Sequence, residues 1–287
     1  MKDRKILMDG LQAVGVVHAE TIPKEELRFG QKACIEIFEE YACALDRFKE
    51  HTHFWVLCWL DRAKRDVLQT YSWHLRGEGA LPYGVFALRS PCRPNPVSLT
   101  LVRLLRREGN LLYVDGLDIF DKTPVLDIKP YMKGDVVFSP KAPYIRPQSA
   151  EFVRRMFHKK AVMHHQEECA YLAIAVRMAL AAEEYLGDIT DDSVSVRVRG
   201  GGCFIDTVQG LTNARFANPP RFACEGAGHC ACEWTKDGMS ITTVSRTDPA
   251  GHTHDEIMGM DGESLFVILF GKKDEDEGVP LRKKKRG

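Results

Sequence analysis

Two groups of side chains in this sequence have the types and spacing that chemistry needs. The first lies between Gly84 and Leu99, where Pro91, Pro94 and Pro96 fall within six positions. Three prolines so close together fix φ and remove backbone donors, which excludes a helix interior or a central strand and predicts a rigid, irregular loop. That loop holds Arg89, Arg93 and Asn95 between strand-like runs. Stiffened polar groups of this kind are presented to a ligand, although a solvated proline-rich surface loop has the same composition.

The second group is rich in cysteine and histidine. His165 and Cys169 stand at i, i+4 around a helix start, a spacing that lets both face one ligand. After the glycine-rich stretch 200–202 come Cys203, Asp206 and Gln209, predicted on one side of a helix. Cys224, His229, Cys230 and Cys232 lie within nine residues, a density that suits either a soft-metal site or buried thiols in a strand. No Cys-x-x-Cys pair occurs among them, and Cys230-Ala-Cys232 is not structural zinc spacing. His252 and His254 fall in a polar segment and read as solvated.

The elements that must position the first group read as strands. Apolar or alternating runs over Leu11–His18, Ala33–Phe38, His53–Leu60, Val97–Leu105 and Leu111–Leu117 are rich in strand formers. Gly109-Asn110 supplies a hairpin turn. A short strand between Pro124 and Pro130 carries Asp127 and Lys129, and Tyr41–Phe48 suits a short helix. Many strands at short spacing argue for a β-barrel or sandwich through about residue 135. Beyond it, Glu167–Leu186 has apolar residues at helical spacing with Gly187 as a stop. Val194–Val198, Ala231–Trp234, Met239–Ser245 and Leu265–Leu269 read as strands. The organisation expected is a mainly β domain over 1–138, a basic linker over 139–160, an α+β domain over 161–273 and a charged, disordered tail over 274–287.

Composition bounds the function classes. With 44% hydrophobic residues in 287, there is material for two ordinary cores. No run approaches the roughly 20 apolar residues of a membrane span, and Met-Lys-Asp-Arg-Lys is not followed by a signal-peptide stretch, so a cytoplasmic location without membrane contact is expected. Nine cysteines, an odd number, fit a reducing compartment. The net charge of zero hides an asymmetry. Residues 1–160 hold 26 Lys+Arg against 20 Asp+Glu, leaving 14 against 20 of the totals of 40 and 40 for the remainder, or +6 and −6. Only the first part suits a polyanion. Arg154, Arg155, Lys159 and Lys160 fit either RNA phosphates or a solvated helix face.

The proline loop, followed by Thr123-Pro-Val-Leu-Asp-Ile-Lys-Pro-Tyr131, resembles the TsaA/TrmO family over roughly residues 10–140. That family combines an Arg-Ser-x-x-Arg-Pro-Asn-Pro loop with a Thr-Pro-x-x-Asp-Ile-Lys-Pro-Tyr segment. The resemblance implies a β-barrel methyltransferase, homodimeric, that binds S-adenosylmethionine and methylates the exocyclic nitrogen of threonylcarbamoyl-adenosine beside the tRNA anticodon. By position, it implies cofactor contacts at Glu26, Leu27, Arg28, Asp61, Arg62, Arg89, Leu99, Pro124, Val125, Leu126 and Asp127. Arg93 and Asn95 are then expected to orient the acceptor, and Asp118 or Asp121 to accept a proton, position Lys129 or merely shape a turn. Ser98 and Asp61-Arg62 depart from the Gly and His-Gln usual in the family.

Cys203, Asp206, Gln209 and Thr212, with His165 and Cys169 upstream, resemble the FmdE family over roughly residues 160–245. This implies an α+β domain with a metal or thiol site, for which zinc or another soft ion at His165, Cys169 and Cys203 is the first expectation and Cys224, Cys230 and Cys232 the second.

Overall fold

The computed structural model describes residues 11–72, 81–142 and 144–272, so the tail expected over 274–287 lies outside the described residues. Two units are separately compact, residues 1–137 and 138–287.

The first unit is a closed six-stranded barrel. Its strands are β1 (Gly15–Ala19), β2 (Gln31–Ile37), β3 (His53–Cys58), β6 (Thr100–Glu108), β7 (Leu111–Leu117) and β8 (Pro124–Pro130), in the order β1-β2-β7-β6-β3-β8, with β8 returning to β1. A short helix α1 (Lys24–Leu27) and a small ribbon of β4 (Gln69–Thr70) and β5 (Tyr83–Gly84) complete it. The expected helix near residue 41 is a 3-10 turn over Glu39–Leu45. Alternation explains the closure: in β3, Phe54, Val56 and Cys58 are buried while His53, Trp55 and Leu57 are half-buried on the outer face. Phe54, Ile35, Leu112 and Leu117 fill the interior, each such side chain contributing about 1.5–3 kcal/mol on burial.

All six strands pair antiparallel, so their ends sort onto two rims. The C-termini of β1, β3 and β7 share one rim with the N-termini of β2, β6 and β8. The hairpin at Gly109-Asn110 closes the other.

The second unit packs helices α2 (Ala150–His165), α3 (Ala170–Leu186), α4 (Gly202–Thr212), α5 (His254–Gly259) and α6 (Gly262–Leu265) with a five-stranded sheet. The strands are β9 (Ser195–Gly200), β10 (Phe222–Gly226), β11 (Ala231–Lys236), β12 (Met239–Ser245) and β13 (Phe266–Lys272), ordered β10-β9-β11-β12-β13 with only β10–β9 parallel. Helix α3 is buried along most of its length, with Leu172, Ile174, Val176 and Met178 fully covered. None of the described helices is long and apolar enough to cross a membrane.

Part of the expected basic linker over 139–160 is instead helical and buried. Residues 150–165 form α2, capped by Ser149, and its Val153, Phe157 and Ala161 enter the same core as α3 and α4. Apolar residues at i, i+4 and i+8 make a buried stripe, and the basic residues occupy the remaining faces. Lys160 is itself turned inward: its Nζ donates to Leu211 O at 2.7 Å, capping the last turn of α4, and burial pulls its pKa down to about 8. It is no part of a solvated phosphate-binding face.

Candidate functional site

The barrel topology brings the chemistry of the first unit to one rim. Glu26, Leu27 and Arg28 precede β2, Asp61 and Arg62 follow β3, Arg89, Arg93, Asn95 and Leu99 precede β6, and Asp118 and Asp121 follow β7. Pro124, Val125, Leu126 and Asp127 open β8 at the same end. Lys129 alone lies farther along β8, yet its ammonium reaches back to Asp127 at 2.6 Å.

Backbone hydrogen bonds lock three of these segments together. Trp59 N donates to Pro124 O (3.0 Å), Leu60 N to Pro96 O (2.8 Å) and Ser98 N to Cys58 O (2.9 Å), so the end of β3 lies between the start of β8 and the proline loop. Ser98 Oγ adds a bond from Cys58 N, and Arg65 ties Pro94 O at 2.9 Å while stacking over Trp59. Burial first of all pushes the Cys58 thiol up to about 12, so it remains neutral beneath the site.

Within the proline loop the two arginines diverge. Arg89 and Asn95 are exposed on the rim, as is Leu99. Arg93 is turned into its own loop: Nη2 donates to Val85 O and to Leu88 O (2.5 Å), and its Nε is buried without a partner. The expectation that Arg93 orients an acceptor gives way to a clamp on the turn 85–88, where Val85 O otherwise accepts from Leu88 N at 3.4 Å. Asp118 is exposed and accepts from Thr100 Oγ1 at 2.5 Å, whereas Asp121 accepts from Ala19 N at 3.1 Å and so joins β1 to the turn before β8.

Close backbone approach holds α1 against this rim. Gly30 has φ +78° and lies so near Gly116 that a Cβ would meet its carbonyl carbon at 2.5 Å. Gln31 Nε2 reaches Ile119 O at 3.4 Å. Thr100, Ser98, Arg65 and Gln31 were not legible as site residues. Only the adjacency of Ser98 and Thr100 to the proline loop could have signalled them.

In the second unit His165, Cys169 and Cys203 converge, their ligand atoms all within 4.8 Å of one another. The route differs from the one expected. His165 ends α2, Gln166 turns left-handed, and Cys169 is the N-cap of α3, so the pair is joined by a helix–helix turn and not by one helical face. Sγ of Cys169 accepts from Leu172 N and stands 3.6 Å from His165 Nε2. Asp206 accepts from His165 Nδ1 at 2.7 Å, which fixes the tautomer with the Nε2 lone pair facing the thiols, the arrangement that orients a metal-binding imidazole. The same carboxylate lies 3.2 Å from His164 Nε2. Burial first, then the Cys169 thiol, raises the Cys203 pKa.

Cys224, Cys230 and Cys232 do not come together, which corrects the second metal expectation. Cys224 on β10 and Cys232 on β11 both pair with Val198 from opposite sides of β9, two strand spacings or roughly 10 Å apart. Cys232 is buried in β11, Cys230 is buried just before that strand, and Cys224 and His229 are exposed.

A family model described as the tRNA-methyltransferase O N-terminal domain matches residues 17–135, and one described as FmdE, molybdenum formylmethanofuran dehydrogenase operon, matches residues 164–273. A probable S-adenosyl-L-methionine-binding protein of Archaeoglobus fulgidus is 39% identical over 191 residues, covering 64% of this chain and 51% of the relative. One of Methanothermobacter thermautotrophicus is 41% identical over 126 residues, covering 42% of this chain and 88% of the relative. A tRNA (adenine(37)-N6)-methyltransferase of Mus musculus is 38% identical over 105 residues, covering 35% and 24%. The chain thus spans about half the length of the first of these and a quarter of the last. Since it covers nearly all of the second at 41% identity, the chain belongs to the tRNA-methyltransferase O family through its barrel, followed in the same polypeptide by an FmdE-family domain.

Proposed function

We propose that the chain is an S-adenosylmethionine-dependent methyltransferase acting on the exocyclic nitrogen of an adenosine in tRNA, in its most specific form threonylcarbamoyl-adenosine beside the anticodon. The observation that carries this reading is the convergence of the proline loop, the end of β3 and the start of β8 on one barrel rim.

The donor set there suits the cofactor. Asp127 already holds a primary ammonium, that of Lys129, at 2.6 Å, the same chemistry as the cofactor's amino group. Exposed Arg89 and Arg62 are forks for its carboxylate, and Leu99 and Leu126 are apolar neighbours for its adenine. When bound, S-adenosylmethionine supplies a methyl group activated by a sulfonium, so that the N–C bond forms as the S–C bond breaks and a neutral thioether is left. The chain's part is alignment and removal of the nitrogen's proton. Asn95, exposed on the same proline loop as Arg89, orients the acceptor. Asp118 receives the proton, being exposed and engaged at one oxygen by Thr100. The remaining contacts proposed for the cofactor are Glu26, Leu27, Arg28, Asp61, Pro124 and Val125.

We also place the protein in the cytoplasm as a homodimer, where tRNA is met, and assign a zinc or similar soft ion to His165, Cys169 and Cys203. The test is transfer of labelled methyl to tRNA with and without the threonylcarbamoyl group. No incorporation into either would overturn the function; equal incorporation into both would overturn the specific acceptor. A second reading, in which the second unit binds a metal-linked small-molecule acceptor, is favoured by the convergence of His165, Cys169 and Cys203. Stoichiometric metal lost with Cys203→Ala, together with no methylation of tRNA, would favour it.

A further inference from the structure

We propose that His158, Glu168 and His254 form a second cation site, for zinc or another borderline divalent transition metal, separate from the thiol cluster and independent of the methyl-transfer reading. The three residues come from different elements: His158 from the middle of α2, Glu168 from the turn between α2 and α3, and His254 from the first position of α5. Their ligand atoms all lie within 4.8 Å of one another. The polar sequence around His254 suggests a solvated side chain, but it is only 16% exposed and faces His158.

The three groups offer more acceptors than hydrogens, and their distances are compatible with a shared metal ion. His158 Nε2 lies 2.9 Å from His254 Nε2 and 3.5 Å from Glu168 Oε1. Tetrahedral ligands at zinc bond lengths stand about 3.3 Å apart, so both separations are within a few tenths of an ångström of that value. His254 Nδ1 is 2.9 Å from Asp255 Oδ1. A carboxylate only accepts, so the Nδ1 proton belongs to that contact and Nε2 offers a lone pair. His254 Nε2 and Glu168 are then both acceptors aimed at one His158 nitrogen, which has a single hydrogen to give. A cation among the three satisfies every lone pair at once. Two imidazoles and one carboxylate leave a position open for water or a further ligand, as in exchangeable and catalytic sites.

The supporting shell is rigid. Phe157 and Ala161 anchor α2 in the core on either side of His158. Thr253 and Glu256 form a capping box at the start of α5, and Arg177 Nη1 ties its far end through Ile257 O, Met258 O and Met260 O at 3.2, 3.0 and 2.9 Å. Asp255 supplies the outer carboxylate that commonly accompanies a metal-bound histidine.

The test is calorimetric titration of chelator-treated full-length protein carrying Cys169→Ala and Cys203→Ala with zinc chloride. One zinc per chain is expected, bound at least tenfold more weakly after Glu168→Gln, roughly 10- to 100-fold more weakly after Asp255→Ala, and not at all after His254→Ala. Glu168 and Asp255 are exposed, so those two variants should keep the parent melting temperature. Cobalt in place of zinc should give visible ligand-field bands without a near-ultraviolet thiolate band. If the double cysteine variant does not fold, Glu168→Gln in the otherwise unaltered chain should still weaken one zinc equivalent at least tenfold. Binding indifferent to Glu168→Gln and His254→Ala, a cobalt–thiolate band in the double variant, or no zinc bound would each overturn the proposal.

Discussion

Replacing Arg93 by Ala separates a loop clamp from an acceptor-binding arginine. Two hydrogen bonds from the guanidinium, to Val85 O and Leu88 O, are lost. Bonds from a charged donor are worth about 1.5–3 kcal/mol each, and the partnerless buried Nε recovers about 1–3 kcal/mol when it is removed. The difference leaves about 2 kcal/mol, or roughly a 30-fold shift toward an opened loop. Hydrogen exchange reads this directly. The amides of Leu60 and Ser98, which bond Pro96 O and Cys58 O across the loop, should lose about that much protection, while Val114 in β7 keeps its own. Cofactor affinity should fall with them, because Leu99 and Arg89 ride on the same segment. If protection and affinity stay unchanged and only the transfer rate falls tenfold or more, Arg93 meets the acceptor and the clamp is wrong.

Arg89→Ala should weaken S-adenosylmethionine binding in titration calorimetry, whereas Asn95→Ala should leave it nearly intact and lower kcat; the opposite pattern would show the two roles exchanged. Gly210→Ala places a carbon 2.4 Å from His164 Cγ and 2.7 Å from its Cβ. Overpacking of this kind costs about 1–3 kcal/mol, read as a lower melting temperature, and should also weaken zinc at the thiol cluster because His164 shares Asp206 with His165; an unchanged melting curve would refute the close α2–α4 approach. Alkylation at pH 8 should label the exposed Cys43 and Cys224 and spare Cys58 and Cys230. Burial raises those two pKa values to about 12, so the reactive thiolate is about one part in ten thousand at that pH and grows only as pH rises. Comparable labelling of Cys230 by peptide mass spectrometry would contradict its burial.

How much of this was legible in the sequence depended on the range of the interaction. The strand at His53–Cys58 shows itself through alternation, and Gly187 marks the end of α3, because both signals are local. The joining of Asp61, Pro96 and Pro124 at one rim depends on strand order, which only the resemblance of two motifs in sequence anticipated. Arg93 could not be read: an arginine facing solvent and one folded back onto two carbonyls look identical in a string of prolines. Within the linker expected over 139–160, the charges of Arg154, Arg155, Lys159 and Lys160 suggest a solvated face and mask Val153, Phe157 and Ala161, the sparse stripe that decides where the helix goes. The burial of His254 leaves no local signal, because its neighbour, His158, is 96 residues away.

The seating of α2 in the second core determines where the chain can be divided. A cut near residue 160, where the basic run ends, would strip Val153 and Phe157 from α3 and α4 and would split the ligand set of His158 and His254 between fragments. Severing between residues 137 and 138 instead leaves the barrel with its whole rim, and gives the remaining fragment both histidine clusters and the Ser149 cap. Division at that junction therefore leaves each piece with its own core, whereas a boundary drawn from charge alone would leave α3 and α4 with an uncovered apolar face.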